Sequence, residues 1–510
     1  MWALDMHAPQ SCAVATSSTP SSRVLESALP HIIEDMVDFT RWSPASLLAH
    51  DLDSLVTVSA SEHPFAPIKV MAESNASLIR PAEFTVTLHE AIDIIRRRRP
   101  RGKLNTYVRF VSLETLPELG AVLPLEGVRR LIGAGARVQA NNILIGDGSL
   151  HSDIHFDDKD NILLQLAGEK EILLLPPVHL NAALNYTPFH ERRAVVRVDG
   201  GRRVMDGSLP TGRGMVENHS PFSAFASTED QQGYDRAAAL RQLIPAELAP
   251  QTRMCSLQPG QALFIPALWS HAVRSKPSTT EPTSGLNVAV NTWYDRSMHS
   301  FMAALRASPS FAAAHTCTGS AFDALGRHAE AAAAYEAALS FNTRGISRGY
   351  PIALALAGTL IRKLGSEDNL ERASMLLEEL CSTLIRGENS ENAGNAAERC
   401  AQEYASLGAV RARSSRFKDA IRLYSKAIQL KPNDALIYQQ LARAYEDGGL
   451  PSRAVDAHNS AFHLSPNDSQ IRRDRDAAQR RSEVRKAGGW SRHMERRMNE
   501  AARAPSKQEL

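Results

Sequence analysis

The sequence predicts a β-sandwich or barrel followed by an all-helical repeat domain. Two observations predict it. Between about residues 26 and 300, short β-type runs alternate with Gly/Pro punctuation, as in ARVQANNILIG, NILLQLAGEKEILLLPP, ALFIP and LNVAVNTWY. From about 301 to 470, alanine rises, apolar residues take helical spacing, and the pattern returns after 34 residues.

At 510 residues the chain exceeds one ordinary core, which agrees with a multidomain reading. Composition is that of a globular protein, 43% hydrophobic and 22% charged. A formal charge of +2 leaves any polyanion contact to local clusters. The five cysteines (Cys12, Cys255, Cys317, Cys381 and Cys400) are scattered without a Cys-x-x-Cys pair, which suits a reducing compartment and gives no zinc signal. No apolar run approaches the twenty or so residues of a membrane span. The N-terminus lacks the layout of a secretory signal, and the final KQEL, although like an ER-retrieval tail, is read as coincidence. The expected compartment is cytoplasm or nucleus.

Taken in order, residues 1–25 are Ser/Thr/Pro-rich and are expected to be disordered. Residues 26–300 form the β domain. TLHEAIDIIRRRR and LEGVRRLIG are its helical stretches, ahead of the β core. LLQLAGEKEILLL reads as a hairpin turning at Ala-Gly-Glu, and LQPGQALFIP as a second turn and strand. In 301–470, Ala420, Tyr424, Ala427 and Pro432 recur as Ala454, His458, Ala461 and Pro466, and Tyr404, Leu407 and Gly408 as Tyr438, Leu441 and Ala442. A third copy lies near 311–344, and 350–385 is degenerate. This resembles the tetratricopeptide repeat, whose small residues let paired helices approach closely. The repeat implies a protein partner. Residues 471–510 are a charged tail.

His155-Phe156-Asp157 opens the chemistry. On a strand, residues i and i+2 share a face, so the imidazole and carboxylate converge on one point. A lone His-x-Asp is weak, and a third ligand is needed from elsewhere. His271 supplies it after the Pro-led turn of FIPALWSHAV. Two histidines and a carboxylate make the facial triad of non-heme Fe(II) oxygenases, with positions left for a 2-oxoacid and O2. Lys170, thirteen residues after Asp157, is a point charge for the distal carboxylate of 2-oxoglutarate. Asn161 and Tyr107 are further candidates for that co-substrate. His151, Asp153 and Asp158 break the period and are read as bystanders; His179 and His190 have no motif support.

HFDDKDNILLQLAGEKEILLLPP and CSLQPGQALFIPALWSHAV resemble the two core motifs of JmjC-domain hydroxylases over roughly residues 80–295. The resemblance implies a double-stranded β-helix (jelly-roll, cupin) JmjC domain ahead of the tetratricopeptide repeats. It implies Fe(II) on His155, Asp157 and His271, 2-oxoglutarate on Lys170, and Asn291 and Trp293 beside the co-substrate. Phe156 replaces a frequent tyrosine, Ser152 or Ile154 replaces a common threonine, and Lys276–Ser284 is a polar insertion. Two family substrates stay open: a modified tRNA nucleoside of the wybutosine type, or a protein side chain, hydroxylated or demethylated, with the repeats recruiting the protein. A non-catalytic scaffold is the third alternative. The run Arg96–Lys103 fits phosphate contacts and a solvated helix end equally.

Overall fold

The computed structural model describes residues 10–39, 49–61, 68–71, 76–97, 104–133, 136–148, 151–177, 189–199, 202–216, 218–220, 253–276, 285–295, 298–341, 350–385 and 393–484. The chain divides into two compact units, Met1–Ala321 and Phe322–Leu510.

The first unit is built on a two-sheet jelly roll and carries a further four-stranded sheet. Its eight core strands are β1 (Arg137–Gly146), β2 (His151–His155), β3 (Asp160–Ala167), β4 (Glu169–Leu175), β5 (Arg253–Leu257), β6 (Ala262–Ile265), β7 (Ser270–Lys276) and β8 (Asn287–Asp295). A five-stranded sheet runs Gln10–Ser11, β5, β4, β7, β2. The facing nine-stranded sheet contains β6, β3, β8 and β1 as neighbours, followed by strands Asn105–Ser112, Leu55–Ser61 and Ala82–Thr87. The chain changes sheets at nearly every turn, so the expected hairpin at Ala-Gly-Glu is a correction. β3 pairs with β6 and β8, β4 with β5 and β7, and the turn is a corner between sheets. Both strands are apolar and each needs burial on two faces, which a two-stranded hairpin does not offer.

Alternation explains what each face does. In β3, Ile162, Leu164 and Leu166 face outward into a core with Leu88, Ile92 and Leu119 of the flanking helices. Leu163 faces inward with Ile172 and Leu174 of β4 and Leu263 of β6. Asn161 and Gln165 share that inward parity, as does Lys170. Polar groups are thus placed between the sheets.

Gly168 makes the corner with φ +70°. A Cβ there would stand 2.6 Å from Asn287 Nδ2 and 2.9 Å from the Lys276 carbonyl. Gly168→Ala is therefore expected to cost about 2–4 kcal/mol, from the left-handed backbone and the overpacked neighbour together. Urea denaturation checks this; a loss below about 1 kcal/mol would show that the corner relaxes.

The segment expected to be disordered is another correction. From residue 10 onward it carries strands Gln10–Ser11 and Ala13–Thr16 and helix Ser21–Leu25, with Cys12, Ala15, Val24 and Leu25 buried. Its apolar residues are few, but they complete sheet edges. The scattered cysteines pair as Cys12–Cys255 and Cys381–Cys400, and Cys317 stays free. Strand Gln10–Ser11 lies parallel to β5, which brings Cys12 to Cys255 across 243 positions. Spacing along the chain says nothing of such a pairing. The boundary expected near residue 300 lies at 321, because Phe301, Ala304, Phe311 and Ala314 pack on Ile154, Phe156 and Leu173 of the five-stranded sheet.

The second unit is a run of antiparallel helix pairs. Ala393–Arg413 with Phe417–Leu430, and Ala435–Asp447 with Pro451–Leu464, follow the 34-residue register. Gly408 lets the Tyr424 ring approach to 3.0 Å of where a Cβ would sit, the close contact that the repeat pattern requires. Helix Tyr350–Thr359 runs on through a π turn to Leu364 in the degenerate copy. The charged tail continues as helix to residue 484, and 485–510 lie outside the described residues. No helix among the described residues is long and apolar enough to cross a membrane.

Candidate active site

β2 and β7 are neighbours, and His155 stands directly opposite His271 in their register. Their rings lie 4.4 Å apart between centroids, and His271 Nε2 is 3.8 Å from Asp157 Oδ2. One donor atom from each of His155, Asp157 and His271 lies within 4.8 Å of the others. Each imidazole has its Nδ1 at a backbone carbonyl: His155 at Asp153, 2.8 Å, and His271 at Trp269, 3.0 Å. That contact makes Nδ1 the donor, so the lone pair sits on Nε2, as a metal-ligating histidine needs. Burial pushes the Asp157 carboxyl up, while the His271 ring and the Trp293 indole pull it down. A half-buried carboxylate beside two lone pairs is a donor set short of a cation.

The three side chains are braced from two sides. Leu268, at φ +68° and buried, donates its N–H to the Asp157 carbonyl at 2.8 Å. Asp160 Oδ1 accepts from Ala267 N at 2.8 Å and Ser300 Oγ at 2.7 Å, which fixes the turn that delivers His271. On the outer side, β2 is the last strand of its sheet, and the short segment Asn218–Ser220 closes it. Phe156 N donates to the Asn218 carbonyl, Ser220 N to the Ile154 carbonyl, and Asn218 Nδ2 to the Phe156 carbonyl at 2.7 Å. The His219 ring stacks on His155 at 5.1 Å. Asn218→Ala is expected to weaken metal binding about tenfold, the usual effect of losing an outer-shell support. A cobalt titration checks it, and a loss below twofold would show that the clamp does not position the ligands.

A cavity of about 140 Å3 opens beside the triad. Lys170 reaches it from β4, donating to Ser275 Oγ and Asn287 Oδ1, both at 2.8 Å. Asn287 is aimed by its own Nδ2, which donates to the carbonyls of Glu169 and Lys276. No carboxylate pairs with Lys170 among the described residues, and burial pushes its amine down to about 7. Tyr107 Oη, Asn161 Oδ1 and Asn291 Oδ1 also line the cavity, buried and without a hydrogen-bond partner among the described residues. A buried cation and three orphaned polar atoms fit a dianionic co-acid with several oxygens.

The structure thus brings together all seven sequence candidates: His155, Asp157, His271, Lys170, Asn161, Asn291 and Tyr107 line one cavity. Trp293 joins them. Of the bystanders, His151 lines the cavity and Asp153 lends its carbonyl to His155, while Asp158 is exposed and pairs with Lys159. His179, the His190 side chain and the insertion from residue 277 to 284 lie outside the described residues. Sequence reading missed Ser275, Asn287, Arg109 and the Asn218–Ser220 clamp. Period-two counting offers Ser275 from His271 and Asn287 from Asn291. The clamp leaves no pattern.

The profile of the cupin-like domain family matches residues 18–300. The lysine-specific demethylase JMJ32 of Arabidopsis thaliana is 26% identical over 169 residues, 32% of this chain and 43% of that protein. The human bifunctional peptidase and (3S)-lysyl hydroxylase JMJD7 is 23% identical over 222 residues, 42% of this chain and 61% of that protein. The chain thus spans about half the length of these relatives. Among solved structures, the TPR protein YrrB aligns with 36% of this chain and 83% of its own at 16% identity and a TM-score of 0.28. MamA aligns with 34% and 85% at 21% identity and 0.26.

Proposed function

The chain belongs to the cupin-like domain family, and on that premise we propose that it is an Fe(II)- and 2-oxoglutarate-dependent JmjC oxygenase that hydroxylates a protein side chain. The observation that carries the proposal is the convergence of His155, Asp157 and His271 beside a cavity whose far wall holds a buried, carboxylate-free lysine.

His155, Asp157 and His271 would hold the iron. Lys170 would receive the distal carboxylate of 2-oxoglutarate, with Tyr107, Asn161 and Asn291 as hydrogen-bonding neighbours. When bound, iron, 2-oxoglutarate and O2 together supply the oxidation, in which the co-acid becomes succinate and CO2 and one oxygen enters a C–H bond. The chain's own residues bind, orient and exclude water. Asn287 and Ser275 hold the Lys170 amine on the cavity wall. Leu163 and Ile265 make that wall apolar, which strengthens each ionic contact inside it.

The protein substrate is supported by both relatives, whose names concern lysine. The helical repeats suit recruitment of the protein to be modified. The tRNA nucleoside reading has less behind it. Of the run Arg96–Lys103, Arg96 ends helix Leu88–Arg96 and Arg97 pairs with Asp93 at 3.6 Å, while residues 98–103 lie outside the described residues.

The test is iron-dependent conversion of 2-oxoglutarate to succinate by the full chain, followed by mass spectrometry of proteins and of total tRNA incubated with it. A gain of one oxygen on protein is expected. Formaldehyde release would mean demethylation, and oxygen on tRNA would favour the nucleoside. No succinate would leave the scaffold alternative.

A further inference from the structure

Strand Asn105–Ser112 brings Tyr107 into the cavity, and the next residue of the same parity is Arg109. Just there the strand bulges. Val108 pairs with Ile145 and Val111 with Ile143, so Arg109 and Phe110 together face Leu144. Bulges commonly re-aim side chains beside active sites, and this one turns both residues toward the cavity mouth. Phe110 adopts φ +53°, a conformation that a bulky side chain takes only when its surroundings impose it. The residue is 40% exposed, and its ring stands 5.3 Å from the Trp293 ring and carries the Arg109 guanidinium on its face at 4.5 Å.

Arg109 has no acidic partner at ion-pair distance among the described residues. Its charge acts on Asp157 and on Arg80. The neighbouring arginines are already neutralised: Arg80 by Glu191 at 2.8 Å, and Arg193 by Glu83. Formal charge sharpens the point. A ferrous ion, Asp157, a charged Lys170 and a dianionic co-acid sum to zero. Arg109 stands outside that balance and leaves one positive charge at the mouth.

We infer that Arg109, seated on Phe110, is a specificity-determining residue that pairs with a carboxylate of the substrate protein, so that the oxidised side chain has an acidic residue as close neighbour. The inference rests on the oxygenase reading above and names its substrate class. Stacking leaves the guanidinium edge open for a bidentate carboxylate. A nucleic acid would need several unpaired cations along its backbone, and the next two arginines are spent on glutamates.

The experiment uses the full chain with iron and 2-oxoglutarate and two libraries of short synthetic peptides. One fixes Glu on both sides of a degenerate centre, the other Lys. The Glu library is expected to stimulate succinate formation about tenfold more than the Lys library, the worth of one charge-assisted bond. Arg109→Gln should level the two, Arg109→Glu should reverse them, and Arg109→Lys should retain part of the preference. Peptide affinity by fluorescence polarisation without iron should show the same order. Equal response to the libraries, or a Glu preference that survives in Arg109→Glu, overturns the inference. So does stimulation by an oligoribonucleotide in place of either library, or a 2-oxoglutarate Kd that rises tenfold in Arg109→Gln, which would assign Arg109 to the co-acid. Iron-dependent succinate formation without any peptide reads the parent proposal separately. Its absence sinks both, while its presence with no charge preference sinks only the role of Arg109.

Discussion

Asp157→Asn is expected to reduce iron-dependent succinate formation by about a thousandfold or more, well beyond the 10–100-fold that follows loss of a mere outer-shell support. The substitution keeps the shape of the side chain and removes the only anionic ligand of the set. Two neutral imidazoles then face a divalent ion without charge compensation. The melting temperature should stay within a few degrees, because the backbone bond from Leu268 to the Asp157 carbonyl is untouched. Metal titration beside turnover separates the two effects. A variant that retains a tenth of the activity would mean that Asp157 is not a ligand.

Lys170→Met is expected to split affinity from stability. Removing the amine leaves a buried carboxylate of the co-acid unpaired, which costs about 3–5 kcal/mol, or a Kd about two to four orders of magnitude weaker. Without the co-acid the same variant should melt higher. Lys170 titrates at about 7 in the folded chain against an ordinary 10.5, so folding releases protons between those values. The penalty of burying the amine is therefore complete below about 7 and fades as pH rises toward 10.5. The gain in melting temperature of Lys170→Met should be largest at and below neutral pH and shrink in alkali. For the native chain, co-acid binding above pH 7 must take up a proton at Lys170, and affinity should fall by up to tenfold per pH unit. Calorimetry in two buffers of different ionisation heat reads that uptake. A pH-independent Kd between 7 and 9 would remove Lys170 from the co-acid.

The candidate site was legible because its chemistry is written in short-range pattern. His155 closes β2 and Asp157 follows two residues later, just past the strand end, and Lys170 has the inward parity of Ile172 and Leu174. What the pattern lacked was the partner of each strand. Apolar runs on either side of a glycine read as a hairpin, and only competition among many strands for two-sided burial sends β3 and β4 into opposite sheets. The Asn218–Ser220 clamp was invisible for another reason. Its bonds are mostly backbone to backbone, and a backbone donor has no residue type. Arg109 was hidden by a bulge, which breaks the period-two count from which sequence arguments start. The helical repeats were the easiest part, since each helix packs on close neighbours in the chain.

The interleaving of the two sheets also has a consequence for biosynthesis. His271 leaves the ribosome 114 positions after Asp157, and β7, which carries it, lies between β4 and β2. Until β7 is inserted, His155 and the segment carrying Asp157 belong to a strand end without its neighbour in the sheet. The iron proposed for this triad would therefore be captured only late in maturation, once the polypeptide has threaded β7 between β4 and β2.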